Sequence, residues 1–417
     1  MPAKASLVRE TNPPGLSLGG GFVMSFSAAD RLFMQQALRL AAMGRGRTHP
    51  NPMVGCVIVN HGRVVGTGYH RKKGEPHAET HALRAAGADA VGATVYVTLE
   101  PCAHVGLTPP CASALVAAGV GRVVAAMVDP DERVAGKGLE LLRAAGIQTE
   151  SGLMEEEARQ LNRAWLTWKA TGRPLVILKW ASTLDGKIAC VTGDSRWVTG
   201  DEARAHLHQI RDQVDAILVG ETTASRDDPE LTARPPAPGP LPGWAGGIDP
   251  GPDPEWTPKD PLRIVLDSMA RISLEARLLA PDLQDRPRPN KTLIAHADQA
   301  SRLKLNAIRE RGAETLELPE WIGSGLALEP LLDELGRRGI TSLLVEGGGR
   351  VHWSFLSRGL GNYLLVYAAP KIIGGLGAPG PVGGPGLSTM AEAWTADIKK
   401  MTVIGADLLL EADLKPR

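Results

Sequence analysis

One histidine, two cysteines and a glutamate form the pattern that most constrains how this chain can fold. His77-Ala78-Glu79 is followed by Pro101-Cys102 and then by Cys111. Zinc held by three protein ligands of these types keeps a fourth position for water and lowers the pKa of that water to about 7. The glutamate completes the residue set of a hydrolytic zinc centre without being a ligand. Because His77 and Cys102 lie 25 positions apart, only a fold that brings them together can use the pattern.

The residues around this pattern predict alternating helices and strands. Apolar periodicity, turn residues and a possible helix cap at Ser27 predict helices at 28–43, 77–86, 111–118 and 139–145, and strands at 54–59, 63–68, 94–99 and 122–128. Strands that alternate with helices imply a three-layer α/β domain. The metal ligands would begin two helices and follow one strand, so they would converge at an edge of the sheet, where α/β proteins usually place their sites.

Each of these residues also has an ordinary interpretation. A single histidine is usually a hydrogen-bonded polar residue, a single cysteine is usually part of a core, and a glutamate in the first turn of a helix is favoured by the helix dipole. The conjunction of His-x-Glu, a strand, Pro-Cys and a helix-opening Cys is much less expected by chance and favours zinc. The other two cysteines, Cys56 and Cys190, lie in apolar, strand-like contexts and are expected in the core.

Composition excludes several classes of protein. Lys+Arg and Asp+Glu both number 46, so no global basic field holds nucleic acid, which argues against a nucleic-acid deaminase. Four cysteines in 417 residues form no disulfide framework, which favours a reducing compartment and a cytoplasmic location. No apolar run has the length of a membrane span.

Residues 1–25 lack the hydrophobic core of a signal peptide and are expected to be a disordered leader, in which Met24 is an alternative start.

The first half resembles a known enzyme family. Zinc nucleobase deaminases carry the signature H-x-E…P-C-x-x-C, and here the two cysteines are separated by eight residues rather than two. With that stretched spacing, three motifs resemble the deaminase half of the bifunctional riboflavin-biosynthesis deaminase/reductase family: Thr48–Gly55, His70 with His77–Glu79, and Pro101–Cys111. Asp129-Pro130 and Val134–Gly138 also match. The resemblance covers nearly the whole chain after residue 25.

The resemblance implies roles for particular residues. It implies a cytidine-deaminase-like three-layer α/β/α domain in which Glu79 shuttles protons and zinc is bound by His77, Cys102 and Cys111. Substrate contacts are implied for Asn51, His70, His104 and Asp129. For these four residues an ordinary loop role stays open, because Asn and Asp before Pro are common in loops. Zinc rather than iron is inferred from the ligand types and from the resemblance.

Two positions depart from the family pattern. Leu107 stands where the family usually has Lys or Arg, and Asp131 stands where Asp-Pro-Asn is usual. The first change removes a positive charge and the second adds a negative one. Both could weaken recognition of a phosphorylated sugar, and neither touches the zinc ligands. They bear on the identity of the substrate more than on the reaction.

A second domain is expected after a helix at 154–170. The predicted boundary divides a deaminase domain at 26–171 from a second domain at 172–417. Strands are predicted at 174–181, 214–220, 263–267, 291–296 and 342–345, helices at 201–211 and 351–357, and a loop at 222–228. Residues 235–261 hold ten prolines and five glycines and are expected to be an exposed insertion.

A glycine cluster follows the last of these strands. Glu346-Gly347-Gly348-Gly349-Arg350 joins a strand to a helix, an arrangement that can cradle a phosphate, although a plain turn explains it equally well. It also lacks the spacing of the Rossmann motif. Five further motifs resemble the reductase half of the same family: Leu178–Lys187, Ser195–Trp197, Asp227–Thr232, Leu266–Ser268 and Pro370–Gly374. That half has a dihydrofolate-reductase-like α/β fold and uses NADPH.

The resemblance implies two further sets of residues. NADPH would contact Ala181, Trp197, Thr223, Asp227, Ser268, Gly348, Gly349, Arg350, Val351, His352, Trp353 and Ser354. Substrate would contact Ser195, Arg211, Leu231, Arg234 and Glu346, with the two arginines as phosphate ligands. Lys179 and Glu346 are the candidates for proton transfer, although a buried Lys–Glu pair could be structural. The arginines could be surface residues and Trp197 could be core, and the residues alone do not separate NADPH from NADH.

The expected protein is therefore a bifunctional enzyme of riboflavin biosynthesis. Its first domain would deaminate a phosphoribosylaminopyrimidine, 2,5-diamino-6-(5-phosphoribosylamino)pyrimidin-4-one, and its second would reduce the ribosyl side chain to ribityl with NADPH. We expect a homo-oligomer, a dimer or a tetramer, without nucleic-acid or membrane partners. Two alternatives remain: a deaminase of a related pyrimidine- or pterin-type substrate, and a second domain that only binds or dimerises.

Overall fold

The computed structural model describes residues 26–103, 110–131, 134–237, 256–280, 282–283, 286–287, 291–321 and 325–415. Three predictions concern residues outside these ranges: the leader at 1–25, the positions His104 and Leu107, and residues 238–255 of the insertion.

The first part of the chain forms a five-stranded sheet with helices on both faces. Its helices are α1 (Ala28–Met43), α2 (Ala78–Ala86), α3 (Cys111–Ala117) and α4 (Lys137–Ala144), and its strands are β1 (Gly55–Asn60), β2 (Arg63–Tyr69), β3 (Thr94–Val97), β4 (Arg122–Ala125) and β5 (Gln148–Ser151). The strand order is β2-β1-β3-β4-β5. β1 pairs antiparallel with β2 and β3, whereas β3, β4 and β5 are parallel.

Successive side chains of a strand point to opposite faces of the sheet, so each face packs against its own layer of helices. In β1, Cys56 and Ile58 face the core formed with α2, α3 and α4, whereas Val57 and Val59 face the core formed with α1. The helix cap predicted at Ser27 is present and forms a capping box: the Ser27 hydroxyl accepts from the Asp30 N–H, and the Asp30 carboxylate accepts from the Ser27 N–H. Sequence analysis missed the short edge strand β5.

The segment that joins the two sheets differs from the predicted single helix. It forms α5 (Glu155–Leu161) and α6 (Arg163–Thr171), which meet at Asn162. The Asn162 side chain donates to the Met53 carbonyl and accepts from the Met53 N–H, at 2.9 and 2.8 Å, so the bend places this amide against the first domain. Gly172 ends α6 with a left-handed backbone (φ 71°). We propose the domain boundary at this glycine.

The second part of the chain forms a nine-stranded sheet. Its elements are β6 (Leu175–Thr183), α7 (Asp201–Gln213), β7 (Ala216–Gly220), α8 (Glu221–Asp227), β8 (Leu262–Leu266), β9 (Asp282–Leu283), β10 (Arg286–Pro287), β11 (Thr292–His296), α9 (Arg302–Glu310), β12 (Glu314–Glu317), α10 (Glu329–Arg337), β13 (Ser342–Gly347), α11 (Gly349–Ser357), β14 (Tyr363–Ala369), β15 (Ala396–Ile404) and β16 (Asp407–Leu414). The strand order is β12-β11-β8-β7-β13-β6-β14-β16-β15, with β9 and β10 paired separately.

Most neighbours in this sheet are parallel, and only β16 runs antiparallel to β14 and β15. Helices α10 and α11 pack on one face, and α8 and α9 pack on the other. The predicted loop at 222–228 is wrong, because residues 221–227 form α8, whose Ala224 is buried against the sheet. Among the described residues, no helix combines the length and the apolar character needed to cross a bilayer.

Candidate active sites

The three proposed zinc ligands meet at one end of the first sheet. His77 is the N-cap of α2, Cys102 follows β3, and Cys111 is the first residue of α3. The His77 Nδ1 atom lies 3.2 Å from the Cys111 Sγ atom and 3.7 Å from the Cys102 Sγ atom, and all three donor atoms lie within 4.8 Å of one another. In a tetrahedral zinc site, bond lengths of about 2.0 and 2.3 Å separate such donors by about 3.5 Å. The donor set therefore fits zinc.

The electrostatics of the two thiols also suit a divalent cation. The hydrogen bond with Cys111 lowers the pKa of Cys102 to about 4, and the same pairing raises the pKa of Cys111. The Cys102 sulfur also accepts from the Cys111 backbone N–H at 3.3 Å. Two sulfurs and an imidazole held this close share protons that a metal ion displaces on binding.

Glu79 lies in the first turn of α2, two residues after His77, and is buried. Burial raises the pKa of this carboxyl, and its interactions with the surrounding groups include a hydrogen bond with the Cys111 thiol. A carboxyl group with a raised pKa beside a metal site is suited to both accepting and donating a proton near neutral pH.

A cavity of about 560 Å³ opens over these residues. Three of the proposed substrate contacts, Asn51, His70 and Asp129, line it together with His77 and Glu79. The Asn51 side-chain amide lies 3.3 Å from the His70 Nε2 atom. Burial lowers the pKa of His70 and raises the pKa of Asp129. The structure thus brings together every described residue that the sequence assigned to this site.

Two charged residues of this cavity were not predicted from the sequence. The buried Glu100 carboxylate accepts four backbone N–H bonds at 2.8–3.3 Å, which hold the segment that carries Asp129: the donors are Asp129, Gly136, Gly138 and Leu139. Lys169 on α6 reaches the cavity and donates to Asp131 at 3.2 Å. The one sequence feature that could have identified Glu100 is its position directly before Pro101-Cys102. Lys169 had no signal, because it comes from a distant helix.

A second set of charged residues lies in the second sheet. Lys179 on β6 and Glu346 on neighbouring β13 lie 4.0 Å apart, and Arg211 on α7 binds both Glu346 oxygens at 2.7 Å. Burial raises the pKa of a carboxyl, but the charges of Arg211 and Lys179 outweigh it and lower the pKa of Glu346 to about 2. Burial also lowers the pKa of Lys179. Two nitrogens of Arg211 are therefore engaged by Glu346, and its contact with substrate stays a prediction.

Of the other proposed substrate contacts, Arg234 lies close to this cluster, because both it and Arg211 act on His208. The Arg234 N–H lies 3.3 Å from the His208 Nδ1 atom, and the Arg234 side chain is paired with Glu230 while remaining half exposed. His208 was missed by sequence analysis; burial and the charges of Arg211 and Arg234 lower its pKa to about 4. Leu231 is buried with φ +52°, and Ser195 is half buried in the segment before α7.

The proposed cofactor contacts outside residues 349–354 divide into three groups. Gly348 is the N-cap of α11, and the Thr223 hydroxyl lies against it, since a Cβ built on Gly348 would come within 3.2 Å of that oxygen. Ala181 on β6 and Ser268 after β8 lie at ends of strands. Trp197 and Asp227 are exposed, and the Arg204 guanidinium lies 4.4 Å above the Trp197 ring.

The remaining residues, 349–354, form the first turns of α11. His352 is buried, and its ring nitrogens face the Pro381 and Val345 carbonyls at 2.8 and 3.3 Å. Trp353 packs edge-on against Trp394. These two side chains are thus engaged in packing, so this turn offers a ligand chiefly the N-terminus of α11, which favours phosphate.

Comparisons with known proteins agree with both sites. Residues 27–127 match the family of the cytidine and deoxycytidylate deaminase zinc-binding region, and residues 174–410 match the RibD C-terminal domain. The riboflavin biosynthesis protein RibD of Escherichia coli (strain K12) is 43% identical over 384 residues, which cover 91% of this chain and 98% of the relative. These matches confirm the fold class predicted for each domain.

Solved structures agree over the same length. Acinetobacter baumannii RibD aligns with a TM-score of 0.77 and 36% identity, covering 93% of this chain and 99% of that one. A Thermotoga maritima diaminohydroxyphosphoribosylaminopyrimidine deaminase/5-amino-6-(5-phosphoribosylamino)uracil reductase aligns with a TM-score of 0.75 and 32% identity, over the same shares. The chain therefore belongs to the RibD family of riboflavin biosynthesis enzymes, which join a zinc-dependent deaminase and an NADPH-dependent reductase in one polypeptide.

Proposed function

We propose that the first domain deaminates 2,5-diamino-6-(5-phosphoribosylamino)pyrimidin-4-one and that the second reduces the ribosyl side chain of the product. The observation that carries this proposal is the pairing of a His-Cys-Cys donor set beside Glu79 with a buried Lys179–Glu346–Arg211 cluster in the same chain. The name of the Thermotoga maritima relative describes the same two consecutive reactions.

In the deaminase, we assign the zinc ligands to His77, Cys102 and Cys111. Zinc, when bound there, supplies Lewis acidity that lowers the pKa of a water molecule. Glu79 takes a proton from the attacking water and delivers it to the departing amino group, so that water and the amine become a carbonyl and ammonia. Asn51, His70 and Asp129 line the cavity and orient the pyrimidine; His104 stays a prediction from sequence.

Recognition of the substrate phosphate in the first domain is assigned to Lys169. Among the described residues that line the cavity, it is the one lysine or arginine, whereas Asp129 and Asp131 contribute carboxylates. Asp131 binds the Lys169 ammonium and holds it at the cavity wall. This assignment gives the unusual Asp131 a role: it orients the cation instead of only adding a negative charge.

In the reductase, we assign proton transfer to Lys179. NADPH, when bound, supplies the hydride. Opening of the ribosyl ring moves a proton from the glycosidic nitrogen to the ring oxygen and leaves a carbon–nitrogen double bond. Hydride addition at that carbon requires a proton at the nitrogen, and Lys179, whose pKa is lowered by burial, is suited to deliver it. Glu346 holds the ammonium group in place.

The remaining contacts in the second domain are proposals from the family motifs. Arg234, whose side chain is 49% exposed, is better placed for the substrate phosphate than the buried Arg211. Ser195 and Leu231 are retained as substrate contacts. The retained cofactor contacts are Ala181, Trp197, Thr223, Asp227, Ser268 and the turn from Gly348 to Ser354.

A split assay on zinc-loaded protein tests both halves. The diaminopyrimidinone ribotide is supplied first without NADPH, and ammonia is measured; NADPH is then added, and its oxidation is followed. Ammonia release followed by NADPH oxidation is the expected result. If no ammonia is released while the deaminated ribotide is still reduced, the first domain acts on another substrate. If neither reaction occurs, the proposed function is wrong.

We also propose that the enzyme works in the cytoplasm as a homo-oligomer. Zinc binding requires Cys102 and Cys111 to stay reduced, which the cytoplasm favours. The edge strand β15 and its neighbour β16 expose Met401, Val403 and Leu408 on one face, an apolar surface suited to a second copy of the chain. Light scattering on the protein and on Val403→Glu tests this, with a monomeric variant as the expected result.

A further inference from the structure

The loop that follows α1 contacts both domains. Gly46, Arg47 and His49 lie against the second domain, and Pro50–Pro52 lines the deaminase cavity. Asn51, a proposed substrate contact, makes two contacts of its own: its N–H donates to the Thr48 carbonyl at 2.9 Å, and its side chain lies against His70. The position of Asn51 therefore depends on what holds residues 46–49.

Arg47 forms the first anchor. Its guanidinium donates to both carboxylate oxygens of Asp212 at 3.0 Å, to the Asp212 carbonyl at 3.2 Å and to the Thr257 carbonyl at 2.9 Å. Asp212 belongs to α7 of the reductase and is buried. The backbones also touch here: a Cβ on Gly46 (φ +71°) would lie 2.5 Å from the Asp212 carbonyl oxygen, so only glycine fits.

His49 forms the second anchor, on a buried carboxylate of the reductase. Its Nε2 atom binds Asp215, and the Lys259 ammonium lies 2.8 Å from the same nitrogen. Asp215 is held in turn by β13 and the residue before it, accepting from the Thr341 hydroxyl and N–H at 2.7 and 2.9 Å. Such a carboxylate is a rigid support, because breaking a buried, hydrogen-bonded pair leaves an uncompensated charge.

We propose that the reductase domain positions the substrate-binding loop of the deaminase through Arg47 and His49. This inference rests on the proposed deaminase function of the first domain. Neither side chain reaches the cavity, so both are positioning residues that act through Asn51. The far end of the loop is held independently, since Asn162 brackets the Met53 backbone. Loss of the reductase-side anchors would thus free residues 46–51 while leaving the zinc ligands in place.

Kinetics of full-length, zinc-loaded variants test the proposal. We expect Arg47→Ala and His49→Ala each to raise the KM for deamination about tenfold, within the usual range of coupling between sites, with kcat changed less than about twofold. Arg47→Lys, which keeps the charge, should recover part of the loss. Reduction of the deaminated ribotide should change less than deamination, because Asp212 still accepts from the Lys259 N–H and Asp215 from the Thr341 hydroxyl.

Arg163→Ala is the matched control. Arg163 also joins the two domains, contacting Asp413 at 3.4 Å and lying 4.2 Å above the Tyr363 ring, but it does not line the cavity. The KM of this variant should match the parent protein. An unchanged KM in both anchor variants, or an equal rise in Arg163→Ala, would overturn the proposal.

Hydrogen exchange separates this inference from the proposed activity. In the full-length protein, the Asn51 amide should exchange at least about tenfold faster in Arg47→Ala than in Arg163→Ala, whereas the Met53 amide, which donates to the Asn162 side chain, should exchange equally in the two variants. This readout needs no substrate. If the parent protein released no ammonia from the ribotide, the proposed function would fail, while equal exchange of the Asn51 amide in the two variants would refute the anchoring itself.

Discussion

Glu346→Gln should destabilise the reductase domain by about 3 kcal/mol at neutral pH. Folding lowers the pKa of this carboxyl from 4.5 to about 2. A pKa change of that size corresponds to about 3 kcal/mol of stability. The same substitution leaves Arg211 and Lys179 facing each other without their counter-charge, which agrees with the cost of about 3–5 kcal/mol for removing one partner of a buried ion pair. Deamination should proceed at the parent rate, and reduction should slow.

The difference in stability between the parent protein and Glu346→Gln should depend on pH in a definite direction. The pKa of Glu346 is lower in the folded state than in the unfolded state. The ionised carboxylate therefore contributes fully to the free energy of unfolding above pH 4.5, and this contribution is lost as the pH falls towards about 2. Stability should be measured by native-state hydrogen exchange of peptides from β13 and α7, because one global transition does not describe two domains. The gap between the parent and Glu346→Gln should shrink as the pH is lowered below 4.5.

Asp333→Asn is the control for burial. Arg173 binds Asp333 with the same two-pronged geometry, at 2.5 and 3.1 Å, but the two side chains are 34% and 55% exposed, against 12% and 8% for Arg211 and Glu346. Exposed pairs of this kind contribute at most about 1 kcal/mol. If Glu346→Gln cost no more than Asp333→Asn, the burial argument would be refuted.

Three further predictions concern the deaminase. Glu79→Gln should lower ammonia release by at least about 100-fold and leave reduction of deaminated substrate intact; parallel loss of both rates would contradict the separation of the sites. Cys111→Ser should lower the zinc content after dialysis, measured by metal analysis, whereas Cys190→Ser should keep it; equal zinc in the two would contradict the ligand assignment. Lys169→Met should raise the KM for the ribotide about fivefold, since a partly exposed charge contributes roughly 1 kcal/mol, and should leave the KM of a dephosphorylated analogue unchanged; an equal rise for both substrates would contradict phosphate recognition.

Features with a local sequence signal were predicted correctly. The order of His77, Glu79, Cys102 and Cys111 identified the zinc chemistry, and the starts of α2 and α3 were placed within one residue. The capping residues of α1 were likewise readable. Such features depend on residues a few positions apart, so residue type and periodicity are enough to predict them.

Predictions were wrong where a local pattern was weak or was overridden by packing. Residues 222–228 contain threonine, serine and aspartate, which are common in loops, yet burial of Ala224 against the sheet accompanies a helix there. A continuous helical pattern at 154–170 is interrupted because Asn162 bonds to Met53, more than 100 positions earlier. Tertiary contacts override propensity in both cases.

The amino-acid sequence by itself thus determined the zinc chemistry, and through its resemblance to a known family it also indicated the reductase chemistry and the fold of each domain. Tertiary structure alone decided how charges are paired: Arg211 with Glu346, Lys169 with Asp131, and His49 with Asp215. These partners lie 38 to 166 positions apart along the chain. The local sequence around one partner does not identify the other, because an ion pair forms only after packing has brought two distant elements within a few ångströms.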